Sequence, residues 1–294
     1  MKIEKIKLIE CPRDAMQGWS EYIPTEKKAE YLNSLLKVGF DTIDFGSFVS
    51  PKAIPQLRDT AEVLNHLDFS STKSKLLAIV ANTRGAQDAI LYEQIAFLGY
   101  PFSISEEFQK RNTNATIEES LKRVEEIQSL CLNSGKELVL YISMGFGNPY
   151  GEPWNAEIVI DRVKQLEGLG IRIIALSDTI GKSNKESISH LFTHLIPAFP
   201  HIEFGAHLHS SPLTWKEKVS SAYESGCLRF DTALRGIGGC PMADDKLVGN
   251  LATENVVDFF GGEDSLGLNL EAYNESLLIA DSIFHQSSLS SVTN

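Results

Sequence analysis

Two histidines one residue apart, His207-Leu208-His209, stand at the end of an apolar run, 202–209. On a strand, residues i and i+2 point to the same face, so the two imidazoles lie side by side about 7 Å apart at Cα. That spacing lets both reach one cation, although a lone strand histidine is more commonly a packed residue. Near the N-terminus, "ECPRDAMQG" (10–18) ends another apolar run with Arg13, Asp14 and Gln17 in quick succession. A guanidinium, a carboxylate and an amide together suit either a solvated loop or a site for an anionic group and a metal. Asp44 and Asp178 close two further apolar runs, and "RGIGGCPMADDKLVGN" (235–250) carries Cys240 and Asn250.

These groups need elements to position them. Strand-like runs fall at 3–10, 41–47, 75–82, 94–99, 137–144, 171–178, 202–209 and 227–234. Most are nearly continuous apolar stretches of strand length, as expected where both faces of a parallel sheet are covered. Helical spacing lies between them. One segment opens at Thr25, carries Leu32, Leu35 and Leu36, and stops at Gly39. Another opens with the capping box Thr116-x-x-Glu119 and ends at Gly135, and a third opens at Ser183-x-x-Glu186. Eight strands alternating with helices predict an α/β fold of the (β/α)₈ TIM-barrel type, a single domain over 1–294. No Gly-rich phosphate turn supports the rival open sheet. A last helix, about 270–284, is expected to pack outside the barrel, and the polar tail 285–294 to fray.

In such a barrel, chemistry gathers at the C-terminal ends of the strands. The first and eighth strands are neighbours, and the seventh is next to the eighth, so Asp14 and Asn250 can join His207 and His209 around one ion. Imidazoles with hard oxygens and no thiolate favour Mg²⁺ or Mn²⁺ over Zn²⁺. Asn250 is either a ligand or a turn residue of "VGN". Asp14 and Asp178 could equally cap the helices that follow them, and Arg13 could pair with Asp44 or Asp178. The three glycines before Cys240 make 235–250 a mobile loop, in which the thiol is either a proton donor and acceptor or a small apolar filler.

Bulk properties narrow the function. A formal charge of -12 argues against a nucleic-acid binder, which needs clustered Lys and Arg. No run approaches the ~18 apolar residues of a membrane helix. The N-terminus has no cationic-then-apolar signal, so a cytoplasmic protein is expected. Cys11, Cys131, Cys227 and Cys240 fall in no CxxC spacing and are expected to be free thiols.

The stretches "PRDAMQ", "IDFGSFVSPKAIPQ", "RNTNATIEES", "LSDTIG", "HLH" and "GIGGCP…GNLATE" occur in the order found in the 3-hydroxy-3-methylglutaryl-CoA lyase family, which the chain resembles over roughly 5–285. The resemblance implies divalent-metal-dependent cleavage of 3-hydroxy-3-methylglutaryl-CoA to acetyl-CoA and acetoacetate. It also implies an acyl-CoA as the partner and is compatible with a homodimer. It matches Asp14, His207, His209 and Asn250 to the metal ligands, Arg13 to the thioester contact and Cys240 to the loop cysteine. Asp44, Asp178, Gln17 and Asn112 match further active-site positions, and Lys52, Lys110 and Arg111 are candidates for the CoA phosphates. Departures are Cys11 where a glycine is usual, Ser210-Ser211-Pro212 after the histidines, the acidic loop "CPMADDKLVGN", and Asp44 in place of a common Glu. These bear on acyl specificity more than on reaction type. Alternatives are a related Claisen-type condensing enzyme, similar to 2-isopropylmalate or homocitrate synthase, a lyase for another 3-hydroxy-acyl-CoA, and a non-catalytic binding barrel.

Overall fold

The computed structural model describes residues 5–239 and 248–284. Eight parallel strands form in the expected places: β1 (Lys7–Glu10), β2 (Thr42–Ser47), β3 (Lys75–Ile79), β4 (Ile95–Ser103), β5 (Glu137–Ser143), β6 (Ile173–Asp178), β7 (Glu203–Ser210) and β8 (Arg229–Thr232). Each pairs with the next, and β1 pairs with β8, so the sheet closes into a TIM barrel. A short ninth strand, β9 (Gly249–Asn250), runs antiparallel to the end of β7.

The strands are apolar on both faces because two separate layers need filling. Outward side chains meet the helices: Leu32, Leu35 and Leu36 of Thr25–Val38, Val124, Ile127 and Cys131 of Ile117–Ser134, and Ile188, Leu191 and Leu195 of Lys185–Ala198. Inward side chains from β3 to β6 pack as a separate cluster of Leu77, Ile79, Phe97, Val139, Tyr141, Ile173 and Ala175. At the N-terminal end, Arg229 and Lys7 both pair with Glu203.

The helix boundaries follow local chemistry. The Thr116–Glu119 capping box forms in both directions, and Gly39 and Gly135 end their helices in the left-handed region. The box expected at Ser183 sits one residue later, on Asn184 and Ser187, because Ser183 turns its hydroxyl and its N–H onto Asp178. The last helix, Leu270–Ile283, lies outside against Thr25–Val38, joined by a Ser276–Ser34 hydroxyl contact at 2.9 Å. The expected frayed tail, 285–294, lies outside the described residues. Among the described residues no helix is long and apolar enough to cross a membrane.

β4 is longer than its sequence suggests, continuing through Gly99 and Pro101 to Ser103. Gly99 is there for space rather than for a turn. A Cβ would lie 2.5 Å from Ile79 Cδ1, 3.0 Å from Leu77 Cδ2 and 3.1 Å from Tyr141 Cε2. Gly99→Val should therefore lower stability by about 1–3 kcal/mol through overpacking. The check is a urea transition: a lower midpoint at unchanged slope is expected, and an unchanged midpoint contradicts the crowding.

Candidate active site

β1 runs directly into a helical turn, Pro12–Gln17, whose leading proline suits a first helical position. The turn brings the three polar groups of the opening stretch together. Arg13 Nη1 donates to Asp14 Oδ1 at 3.1 Å and to Gln17 Oε1 at 2.9 Å, while Gln17 Nε2 donates to Asp14 Oδ1 at 2.8 Å. The other edge of the guanidinium grips Asp44 on the neighbouring strand, with Nη2 at 2.6 Å and Nε at 3.0 Å from Oδ2. Arg13, Asp14 and Asp44 are all buried. Burial works against the charge on Arg13, but Asp44 and Asp14 overcome it and hold the guanidinium above its usual pKa.

The histidines come from β7. His207 and His209 alternate onto the lumen, and each is oriented through Nδ1. His207 Nδ1 lies 3.1 Å from Asp231 Oδ2 on β8, and His209 Nδ1 lies 3.0 Å from the Thr179 carbonyl. That leaves both Nε2 atoms for another partner. His209 Nε2 is buried and has none among the described residues. β9 pairs Asn250 with His209, so Asn250 sits on a strand rather than in the turn that "VGN" suggests. Its Nδ2 donates to Asp14 Oδ2 at 2.7 Å and to the Ile237 carbonyl at 2.9 Å. The return chain fits here because Gly238, at φ +94°, has no Cβ; one would stand 2.8 Å from both Asn250 Nδ2 and the Asp14 carbonyl.

The charges are consistent with a cation. Burial alone would raise the Asp14 carboxyl, but Arg13, His207, His209 and the Asn250 amide outweigh it and hold it below the usual range. Burial, helped by His207, brings His209 down to about 4, so its ring is neutral with a lone pair on Nε2. Burial also opposes charge on His207, but Asp231 and then Asp14 reverse the direction and raise it. Ligand atoms of Asp14, His207 and His209 lie within 4.8 Å of one another. One carboxylate, two pre-oriented imidazoles and an orphaned buried nitrogen fit a divalent ion.

The cavity over this cluster is lined by Arg13, Asp14, Gln17, Asn112, His207 and His209, together with Phe108, Tyr141, Ser143, Ser177 and Thr179. Asp44 stands behind Arg13 and does not line it. Asp178 is turned away as well: its Oδ2 takes bonds from Ser183 and, at 2.7 Å, from Lys218, whose ammonium also holds the His209 carbonyl at 2.7 Å. The geometry makes it a brace under β7, and Arg13 pairs with Asp44 rather than with Asp178. Neither Asp14 nor Asp178 caps a helix; Asp14 lies within one. Cys240 lies outside the described residues, while Cys11, Cys131 and Cys227 are buried and free. The expected loop 235–250 is in part regular, with a tight turn at Leu234–Gly236 and β9 at its other end. Lys110 and Arg111 share the Asn112 helix but are paired to Glu106 and Glu107, and Lys52 is exposed. Asp231 escaped the sequence reading. The signal was present: Arg229 and Asp231 alternate within a run otherwise read as a buried strand.

Removing one member of a buried ion pair strands the other in a poor solvent, at a cost of about 3–5 kcal/mol. Asp44→Ala should destabilise by that order in a denaturant transition, and a loss under about 1 kcal/mol would mean that Arg13 has another way to be satisfied.

Comparison with known proteins bears on the family and the fold. The HMGL-like family model matches residues 5–263. The cytoplasmic 3-hydroxy-3-methylglutaryl-CoA lyase of Mus musculus is 32% identical over 270 residues, covering 90% of this chain and 76% of that protein. The solved HMG-CoA lyase of Bacillus subtilis superposes with a TM-score of 0.87 at 30% identity, covering 95% of this chain and 93% of the other. That of Acinetobacter baumannii, in complex with coenzyme A and 3-methylmalate, gives 0.85 at 29% identity over 95% and 91%. A family match over most of the chain, joined to the barrel and its rim, shows that this chain belongs to the HMGL-like family.

Proposed function

We propose that this chain is a hydroxymethylglutaryl-CoA lyase, cleaving 3-hydroxy-3-methylglutaryl-CoA to acetyl-CoA and acetoacetate. The observation that carries the reading is the convergence of Asp14, His207 and His209 ligand atoms within 4.8 Å, beside a buried, carboxylate-held Arg13. These three residues would hold the divalent ion. Asn250 would complete the set by turning its amide oxygen inward in place of the Nδ2 bond to Asp14. The absence of thiolate from that set favours Mg²⁺ or Mn²⁺ over Zn²⁺. Once bound, the ion supplies Lewis-acid stabilisation of negative charge in the cavity.

The remaining chemistry falls to the chain. A retro-Claisen cleavage takes the proton from the tertiary hydroxyl, and the Asp14 carboxylate, held ionised by its neighbours, is the base nearest to hand. As the carbon–carbon bond breaks, its electron pair moves onto the thioester as an enolate. Arg13, fixed on one edge by Asp44 and on the other by Asp14 and Gln17, has one Nη2 N–H left for that oxygen. The enolate carbon then takes a proton, for which the sequence supplies His207 and Cys240. Gln17 and Asn112 line the cavity and position the acyl group. The substrate is an acyl-CoA, for whose phosphates Lys52, Lys110 and Arg111 are candidates. Buried free thiols at Cys11, Cys131 and Cys227 suit a reducing, cytoplasmic setting.

The direct test is acetoacetate release from hydroxymethylglutaryl-CoA with and without a chelator. Activity should vanish on chelation and return with Mg²⁺ or Mn²⁺, whereas release that ignores the chelator contradicts the assignment. Arg13→Gln should lose kcat by roughly 10²–10³-fold, with ion binding measured separately because Arg13 also holds Asp14 and Asp44. Unchanged turnover would remove the guanidinium from the mechanism.

A further inference from the structure

We propose that Glu10 is a positioning residue: one buried carboxyl, on the strand that leads to Asp14, that fixes both ends of the segment from Leu234 to Thr253 and so holds Asn250 against Asp14. The kinetic arm of its test rests on the lyase reading above; the geometry does not.

Glu10 is fully buried on the outer face of β1, the face it shares with Leu8 of the outer apolar layer. It touches neither the cavity nor the metal cluster. The Leu234 N–H donates to its Oε1 at 2.8 Å, the Thr253 hydroxyl to its Oε2 at 2.6 Å, and the Thr232 hydroxyl to Oε2 at 3.4 Å. Leu234 begins the glycine-rich segment and Thr253 follows its return, so a single side chain spans departure and arrival. The two ends also pair with each other: Ala233 N–H meets the Leu251 carbonyl at 3.0 Å, and Thr253 N–H meets the Ala233 carbonyl at 3.1 Å.

The described residues beside that clamp are closely fitted on both sides. Arg235 adopts φ +64°, a left-handed conformation rare for a side-chain-bearing residue, and is held there by Glu254 and Asp281. Gly249 approaches the Gly236 carbonyl so closely that a Cβ would lie 2.5 Å from it. Asn250 follows directly, and its amide reaches Asp14.

A buried acid hydrogen-bonded only to neutral donors is costly unless it does something an apolar residue cannot. Burial outweighs the hydrogen bonds from Thr253, Leu234 and Thr232, which favour the charged form of Glu10. Glu254 lies on the helix that follows Thr253, the hydroxyls of Tyr31 and Tyr273 come from the two outer helices, and Arg235 is engaged by Glu254 and Asp281. Burial, with Glu254 adding to it, holds the carboxyl up to about 8, so at neutral pH it acts as a hydrogen-bonding group rather than as an anion. Glutamine can then stand in for it, while alanine leaves both chain ends untied.

The experiment compares wild type with Glu10→Gln, Glu10→Asp and Glu10→Ala by hydrogen exchange and by steady-state kinetics. In Glu10→Ala the Leu234 and Thr253 amides should exchange at least ~10-fold faster while β5 and β6 amides keep their protection. Its kcat should fall by roughly 10–100-fold with KM within about 3-fold, and Glu10→Gln should stay near wild type in both. Unchanged exchange at Leu234 and Thr253 in Glu10→Ala overturns the proposal, as does a Glu10→Gln protein as impaired as Glu10→Ala. If Glu10→Ala does not fold, Glu10→Asp, shorter by one methylene, decides by the same exchange criterion. A wild type that releases no acetoacetate sinks the lyase reading and leaves the exchange result to judge Glu10.

Discussion

A charge taken out of water must be answered by another group or it will neutralise or unfold its surroundings. The rim of this barrel buries Arg13, Asp14, Asp44 and His209 together, with His207 half-buried beside them, and its architecture follows from answering each of them. Asp44 takes one edge of Arg13 and Asp14 the other; Asn250 completes Asp14; Asp231 and the Thr179 carbonyl fix the two imidazoles. Several buried polar atoms stay unpartnered among the described residues, and one of them lies at the ligand cluster. His209 Nε2 is buried without a partner among the described residues, on a ring that its surroundings keep neutral. That atom lies where ligand atoms of Asp14, His207 and His209 converge, a donor set that suits a divalent cation.

The same requirement explains why structural and functional residues interleave along the strands. β8 carries Arg229 toward the closed end and Asp231 toward the site, so one strand serves both purposes. β6 ends in Asp178, which lines nothing but anchors Lys218 to the His209 carbonyl and thereby the end of β7. Precision at the reacting centre comes from such supports, since a displacement of about an ångström is enough to cost a large factor in rate.

The barrel was legible because burial on both faces imposes a pattern on eight separate runs, and closure then makes the first and eighth strands neighbours. From that alone Asp14, Asn250, His207 and His209 could be placed on one rim. What sequence cannot give is the angular position of each group around the rim. Arg13 chooses Asp44 on the adjacent strand over Asp178 across the barrel, a choice set by distance and not by residue type. Asp231 was hidden because an acid in a strand reads as a flaw until the histidine it holds is seen beside it. Gly99 and Pro101 read as a strand end because their usual reason is a turn, whereas here the reason is crowding inside the barrel. Spacing left Asn250 open between ligand and turn residue, and the antiparallel pairing with His209 places it on a strand.

The account depends most on the ion. Crystals of the protein soaked with Mn²⁺ and measured for anomalous scattering locate it without reference to turnover. The expected result is one strong peak within bonding distance of an Asp14 oxygen and the Nε2 atoms of His207 and His209. Saturating Mn²⁺ with no peak between those three side chains, in a protein that still cleaves its substrate, would contradict the account at its centre.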